Sequence, residues 1–179
     1  MSSAGANTAR VALSVITAMY ELALREAFPS LSATDFAVLR SANRRLADAL
    51  RAADVDAAIA ADDEFHTLPV TVCGNTALRT VLKQYMPPLR PAVRLRFSGT
   101  GGHEVVARHD HLITLSEAGD LDAAVAAIRT DWQSLEPLLG LPGAGPDQRS
   151  STVGHGQTLR TRGGAGGHRP FPGVGAAER

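Results

Sequence analysis

The sequence predicts an all-α fold, an antiparallel bundle of about six helices with a disordered C-terminal tail. Three observations predict it. Apolar residues recur at three- and four-residue spacing along most of residues 10–139. Residues that start and stop helices punctuate that pattern at short intervals. The chain of 179 residues is 44% hydrophobic but only 4% aromatic, so its core is built largely from Ala, Leu and Val, which suits close-packed helices.

The first helix is expected from Arg10 to Phe28, with Val11, Val15, Met19, Leu22 and Ala23 at helical spacing and Pro29 ending it. Residues 1–9 precede it and are expected to be disordered. Ser32 and Asp35 form a capping-box-like start to a second helix, whose face is marked by Phe36, Leu39, Leu46 and Leu50. Asp54 caps a third, with a stripe that starts at Val55 and Ile59 and continues through Asp62 and His66; Pro69 should kink it. Gly74-Asn75 reads as a stop and a new N-cap. The fourth helix carries Leu78, Leu82, Tyr85, Leu89 and Val93, but Pro87, Pro88 and Pro91 should break or sharply bend it. A loop at residues 98–102 leads to the fifth, from about His103 to Ala118, with Val105, His109, Leu112 and Ser116 along one side. Gly119 stops it and Asp120 caps the last, whose inward face is Ala124, Ile128, Asp131, Leu135 and Leu138. Short links between such helices make a bundle.

Composition changes after Leu139: 11 of the 17 glycines and four prolines fall in residues 140–179, with few large apolar side chains, so this tail is expected to stay unfolded. Residues 1–139 hold 13 basic and 16 acidic side chains, a mildly acidic body with no electrostatic footprint for nucleic acid. The five tail arginines are too sparse for a nucleic-acid arm. The single cysteine, Cys73, follows an apolar run and reads as a buried thiol in a reducing compartment. No stretch reaches the ~18 apolar residues of a membrane span. The expected location is cytoplasmic.

Asp62, His66, His109 and Asp131 each occupy a position that helical periodicity assigns to the interior. A buried carboxylate or imidazole without a partner is costly, so four of them on three helices imply a shared solution. Asp62 and His66, four apart, project from one helix turn. With one residue from each of two further helices they make a plausible four-ligand cage for a divalent metal ion such as Zn, Mn or Ni. The bland alternative is a hydrogen-bonded core cluster, since Asp–His pairs are common. His103 and His111 should face solvent. Arg90 and Arg94, also four apart, can clamp a carboxylate with guanidinium forks, or serve only as surface charges. The glycine-rich stretch at 98–102 lacks the strand and Lys of a phosphate loop, and no nucleophile has a triad context.

The segment Asp62-Asp-Glu-Phe-His66, then Cys73-Gly-Asn75 with Leu78 following, then His109 ten residues before Gly119-Asp120, resembles the FCD domain, the FadR-type C-terminal effector domain of GntR regulators. The resemblance covers about Arg10 to Leu139. It implies a helical bundle enclosing a pocket for a small organic acid or similar metabolite, often over a divalent metal, and a homodimer. Asp62, His66 and His109 match three of the family's ligand positions. At the fourth the family usually has His and this chain has Asp131, which shifts preference toward harder, oxygen-tolerant metals. The family's Arg in the first helix falls at Thr17. With only about nine residues before the first helix there is no room for the family's winged helix-turn-helix, so this chain alone is not expected to bind DNA.

The function this implies is effector sensing, not enzymatic catalysis. Two rivals stand beside it. A metal-dependent hydrolase would need Asp63 or Glu64 as a base, yet both lie off the inward stripe. A structural remnant of a regulator would bind nothing.

Overall fold

The computed structural model describes residues 3–99 and 101–141, and they are helical from end to end. Seven α-helices follow one another: α1 (Ser3–Ala27), α2 (Ala33–Arg51), α3 (Val55–Cys73), α4 (Thr76–Tyr85), α5 (Arg90–Ser98), α6 (Gly102–Glu117) and α7 (Leu121–Gln133). Short 3₁₀ turns at Phe28–Ser30 and Pro87–Leu89 fill two of the links, and a third at Glu136–Leu138 follows α7. The all-α expectation holds. The tail expected over 140–179 lies, beyond Leu141, outside the described residues. Among the described residues no helix is long and apolar enough to cross a membrane.

Each boundary has a local cause. Ser32 accepts from the Asp35 amide while the Asp35 carboxylate accepts from the Ser32 amide, a complete capping box. Asp54, Asn75 and Asp120 cap α3, α4 and α7 by accepting from the amide three residues on. Gly74 ends α3 in the left-handed region, at φ 65°, where a Cβ would be strained. Pro87 and Pro88 lack the amides that would continue α4, so the expected break divides one stretch into α4 and α5.

The start of α1 corrects the expectation. It begins at Ser3 rather than at Arg10, inside the segment expected to be disordered. Small residues hold it: Ala9 and Ala12 are buried, and a search for large apolar side chains passes over them. The expected face is only partly the buried one: Ala23 is fully buried and Met19 packs against the core, but two other members turn away. Val11 and Leu22 point outward, at 53% and 38% exposure, while Leu13, Ile16, Tyr20 and Leu24 face the core. Because α1 is apolar on two sides, spacing alone does not select the buried one.

Packing places α3 at the centre, against α1, α2 and α5, while α6 lies on α2 and α7 on both α1 and α6. Ile16, Leu46, Leu89, Ile113, Ile128 and Leu135 are fully buried in the seams. Each such side chain contributes roughly 1.5–3 kcal/mol relative to an exposed one. Gly102 lets the start of α6 approach α2, since a Cβ there would sit 2.7 Å from Cδ2 of Leu50. The stripes expected on α6 and α7 are buried as expected through Val105, His109, Leu112 and Ser116, and through Ala124, Ile128, Asp131 and Leu135. Cys73 is half-buried rather than buried, with its thiol donating to the Val70 carbonyl.

Candidate metal centre

Where α3, α6 and α7 meet, the interior is polar. Asp62, His66, His109 and Asp131 are all buried, at 4%, 2%, 0% and 2% exposure, so the four residues expected to converge do converge. Oδ1 of Asp62 lies 3.7 Å from Nε2 of His66 and 3.6 Å from Nε2 of His109. Oδ2 of Asp131 lies 3.3 Å from Nε2 of His66 and 3.9 Å from Nε2 of His109. None of these four atoms makes a hydrogen bond of acceptable geometry. Leaving a buried polar atom unsatisfied costs about 1–3 kcal/mol, so four in one place need an account.

The tautomer of His109 sharpens the point. Nδ2 of Asn43 donates to the Val106 carbonyl at 3.0 Å and to Oδ1 of Asp110 at 2.8 Å, which fixes the Asn43 oxygen toward the ring. That oxygen lies 3.1 Å from Nδ1 of His109, so Nδ1 carries the proton. Burial depresses the pKa of His109, which keeps the ring neutral and leaves Nε2 with a bare lone pair. The lone pair faces two carboxylate oxygens. That arrangement is repulsive unless a proton or a metal cation lies between them.

The separations suit a cation. Donors on a tetrahedron with bonds of ~2.1 Å are about 3.4 Å apart, and the four distances bracket that value. Asp62, His66 and His109 offer atoms within 4.8 Å of one another, and Asp131 adds a second carboxylate on the facing helix. Two imidazoles and two carboxylates form a donor set open to Zn, Mn or Ni.

Surrounding groups fix the donors. The Phe65 ring stacks on His109 at 3.7 Å between centroids and 2° between planes. His66 is boxed by Tyr20, Phe65 and Trp132. Asp131 is held from behind: Nε of Arg108 donates to its Oδ1 at 2.8 Å, and buried Arg96 donates to its backbone carbonyl at 3.0 Å. Burial alone would raise the Asp131 pKa, but the two histidines and Arg96 more than offset it and hold the carboxyl well below its usual range. Asp62 has no such support, and burial raises its pKa. Burial pulls His66 down, yet Asp62 and Asp131 outweigh it and the net shift is upward.

The sequence model of the FCD domain matches residues 13–134. The chain belongs to the FCD domain family. FCD domains are effector-binding domains of GntR-type transcription regulators. Neither a curated protein nor a solved structure matches the chain.

In this FCD domain the expected arginines do not form a joint clamp. Arg90 is held by both oxygens of Asp63, at 2.9 and 2.8 Å, and Arg94 pairs with Asp56. Both are half-exposed, and neither touches the four-residue cluster. His103 and His111 are exposed, as expected. Three residues of the site were missed in the sequence. Asn43 lies in the buried stripe of α2, between Leu39 and Leu46, so the rule that singled out Asp62 also finds it. Arg96 follows Ala92 and Val93 on the buried side of α5, a phase that the proline break conceals. Arg108 lies beside the His109 stripe and carried no separate signal.

Proposed function

We propose that this FCD domain senses a small carboxylate over a divalent ion held by Asp62, His66, His109 and Asp131. One observation carries the reading: four buried, unsatisfied donor atoms on three helices face one another, with the His109 lone pair aimed at two carboxylates. A divalent ion held there supplies a fixed positive centre for an anionic effector.

The chain's own residues do the rest. Asn43 sets the His109 tautomer and Phe65 sets its ring plane. Arg108 occupies one Asp131 oxygen and so directs the other toward the histidines. Because the donors come from α3, α6 and α7, a change in how they are engaged acts on the packing of three helices together. In a dimeric regulator that shift would alter the spacing of paired DNA-binding domains. The hydrolase reading lacks support, since Asp63 and Glu64 are tied to Arg90 and Arg45 on the outer side of α3.

The test is a calorimetric titration of the Mn-, Zn- and Ni-loaded chain with a panel of small mono- and dicarboxylates, repeated after chelation. Saturable binding that needs the ion supports sensing over a metal. Binding that is indifferent to chelator, or absent throughout the panel, contradicts it.

A further inference from the structure

A cavity of about 340 Å³ lies between α1, α3 and α4, separate from the four-residue cluster. Tyr20, Leu82 and Met86 line its buried side, and Arg79, Lys83 and Arg90 stand at its rim. The volume is at the lower end for small-molecule sites, which run to roughly 300–1,000 Å³.

Charge distinguishes this cavity. Arg90 is neutralised by Asp63, as described above. Arg79 and Lys83 are one turn apart on α4, both exposed, and among the described residues neither has a carboxylate partner. Like charges at this spacing destabilise a helix by a few tenths of a kcal/mol. Elsewhere among the described residues Arg40, Arg45, Arg51, Arg94 and Arg129 each pair with an acid; Arg10 and Arg44 do not, but Arg79 and Lys83 stand together, one turn apart, at the mouth of an apolar recess. Low-dielectric walls focus the field of such charges on whatever enters. Two uncompensated positive charges over an apolar floor complement a ligand with two negative charges and an apolar body.

We propose that this cavity is a second ligand site, for a small dianion carrying an apolar group, with Arg79 and Lys83 taking the charges and Tyr20, Leu82 and Met86 taking the body. An aryl phosphate and an aryl dicarboxylate share this chemistry. The site stands independently of the metal reading. Tyr20 nevertheless joins the two regions: its ring stacks on Trp132 at 4.7 Å and lies 5.5 Å from the His66 ring. Trp132 is the only tryptophan, so its fluorescence reports on the wall of the cavity.

The test uses the full chain after chelation, titrated calorimetrically with phenyl phosphate, phthalate and, as the neutral control, benzyl alcohol, with Trp132 emission followed in parallel. At least one dianion binds saturably and benzyl alcohol does not; whichever dianion binds identifies the headgroup. In the Arg79→Glu/Lys83→Glu double variant, whose two positions are exposed, the affinity falls by about tenfold or more. An Arg44→Glu variant, an equally exposed charge reversal on α2, keeps it. The proposal is overturned if neither dianion saturates by about 10 mM, if the double variant binds as tightly as wild type, or if binding requires a divalent ion and is lost in His109→Ala. That last result would assign the dianion to the metal centre and leave the metal reading intact.

Discussion

The two sides of α3 use the same residue types in opposite ways. On the outer side Asp56, Asp63 and Glu64 are half to mostly exposed, and each has its own arginine: Arg94, Arg90 and Arg45. On the inner side Asp62 is buried beside His66, and its Oδ1 has no hydrogen-bond partner. Asp62 and Asp63 are adjacent in sequence, so helical phase alone separates them. An exposed carboxylate shares its charge with water and a guanidinium, and its pair is worth about 0–1 kcal/mol. A buried one must be matched by its surroundings, and here no neighbour completes a hydrogen bond to its Oδ1. An unmatched interior of this kind calls for an explanation that a well-paired scaffold does not.

The contrast breaks most visibly at Asp131. Asp131→Ala removes the anion that Arg108 and buried Arg96 face, and stranding a buried charge costs about 3–5 kcal/mol. Denaturant unfolding should show a loss of that size, and metal binding should disappear with it. Next comes Asn43→Ala, which frees the His109 ring. Loss of such an outer hydrogen bond lowers metal affinity about 10–100-fold, read by competition with a chromophoric chelator.

Acidity sharpens the comparison further. In the metal-free protein His66 is held above the ordinary imidazole value of about 6.5, so between that value and its raised one the ring carries a proton that an ion must displace. His109, depressed by burial, is already neutral and contributes none. Asp62, raised by burial, adds a second proton where the pH falls below its raised value. Metal affinity should therefore climb by about tenfold per pH unit through the His66 window and flatten above it. A pH-independent affinity would contradict the raised His66. The smallest effect belongs to the outer face. Asp63→Asn or Glu64→Gln should change stability by less than about 1 kcal/mol and leave metal stoichiometry untouched.

Much of this was legible in the sequence because a polar residue at an apolar helical position is a strong local signal. Asp62, His66, His109 and Asp131 stand out against Ile59, Val105, Leu112 and Ile128, and the structure joins them. Asn43 carried the same signal against Leu39 and Leu46, but asparagine is a common surface residue and its partners lie more than 60 positions away. Arg96 was hidden because the prolines reset the helical phase. The outward turn of Val11 and Leu22 was illegible for a different reason. A helix that is apolar on two sides has no unique inner face until α3 and α7 choose one.

The most direct test of the central claim is the metal content of the purified chain, measured with thermal unfolding before and after chelation, in wild type and His109→Ala. About one divalent ion per wild-type chain, a melting point lowered by chelator, and neither property in the variant is the predicted result. A wild-type chain that holds no metal and unfolds at the same temperature with chelator or added ion would contradict it, and would make the four residues a polar core cluster.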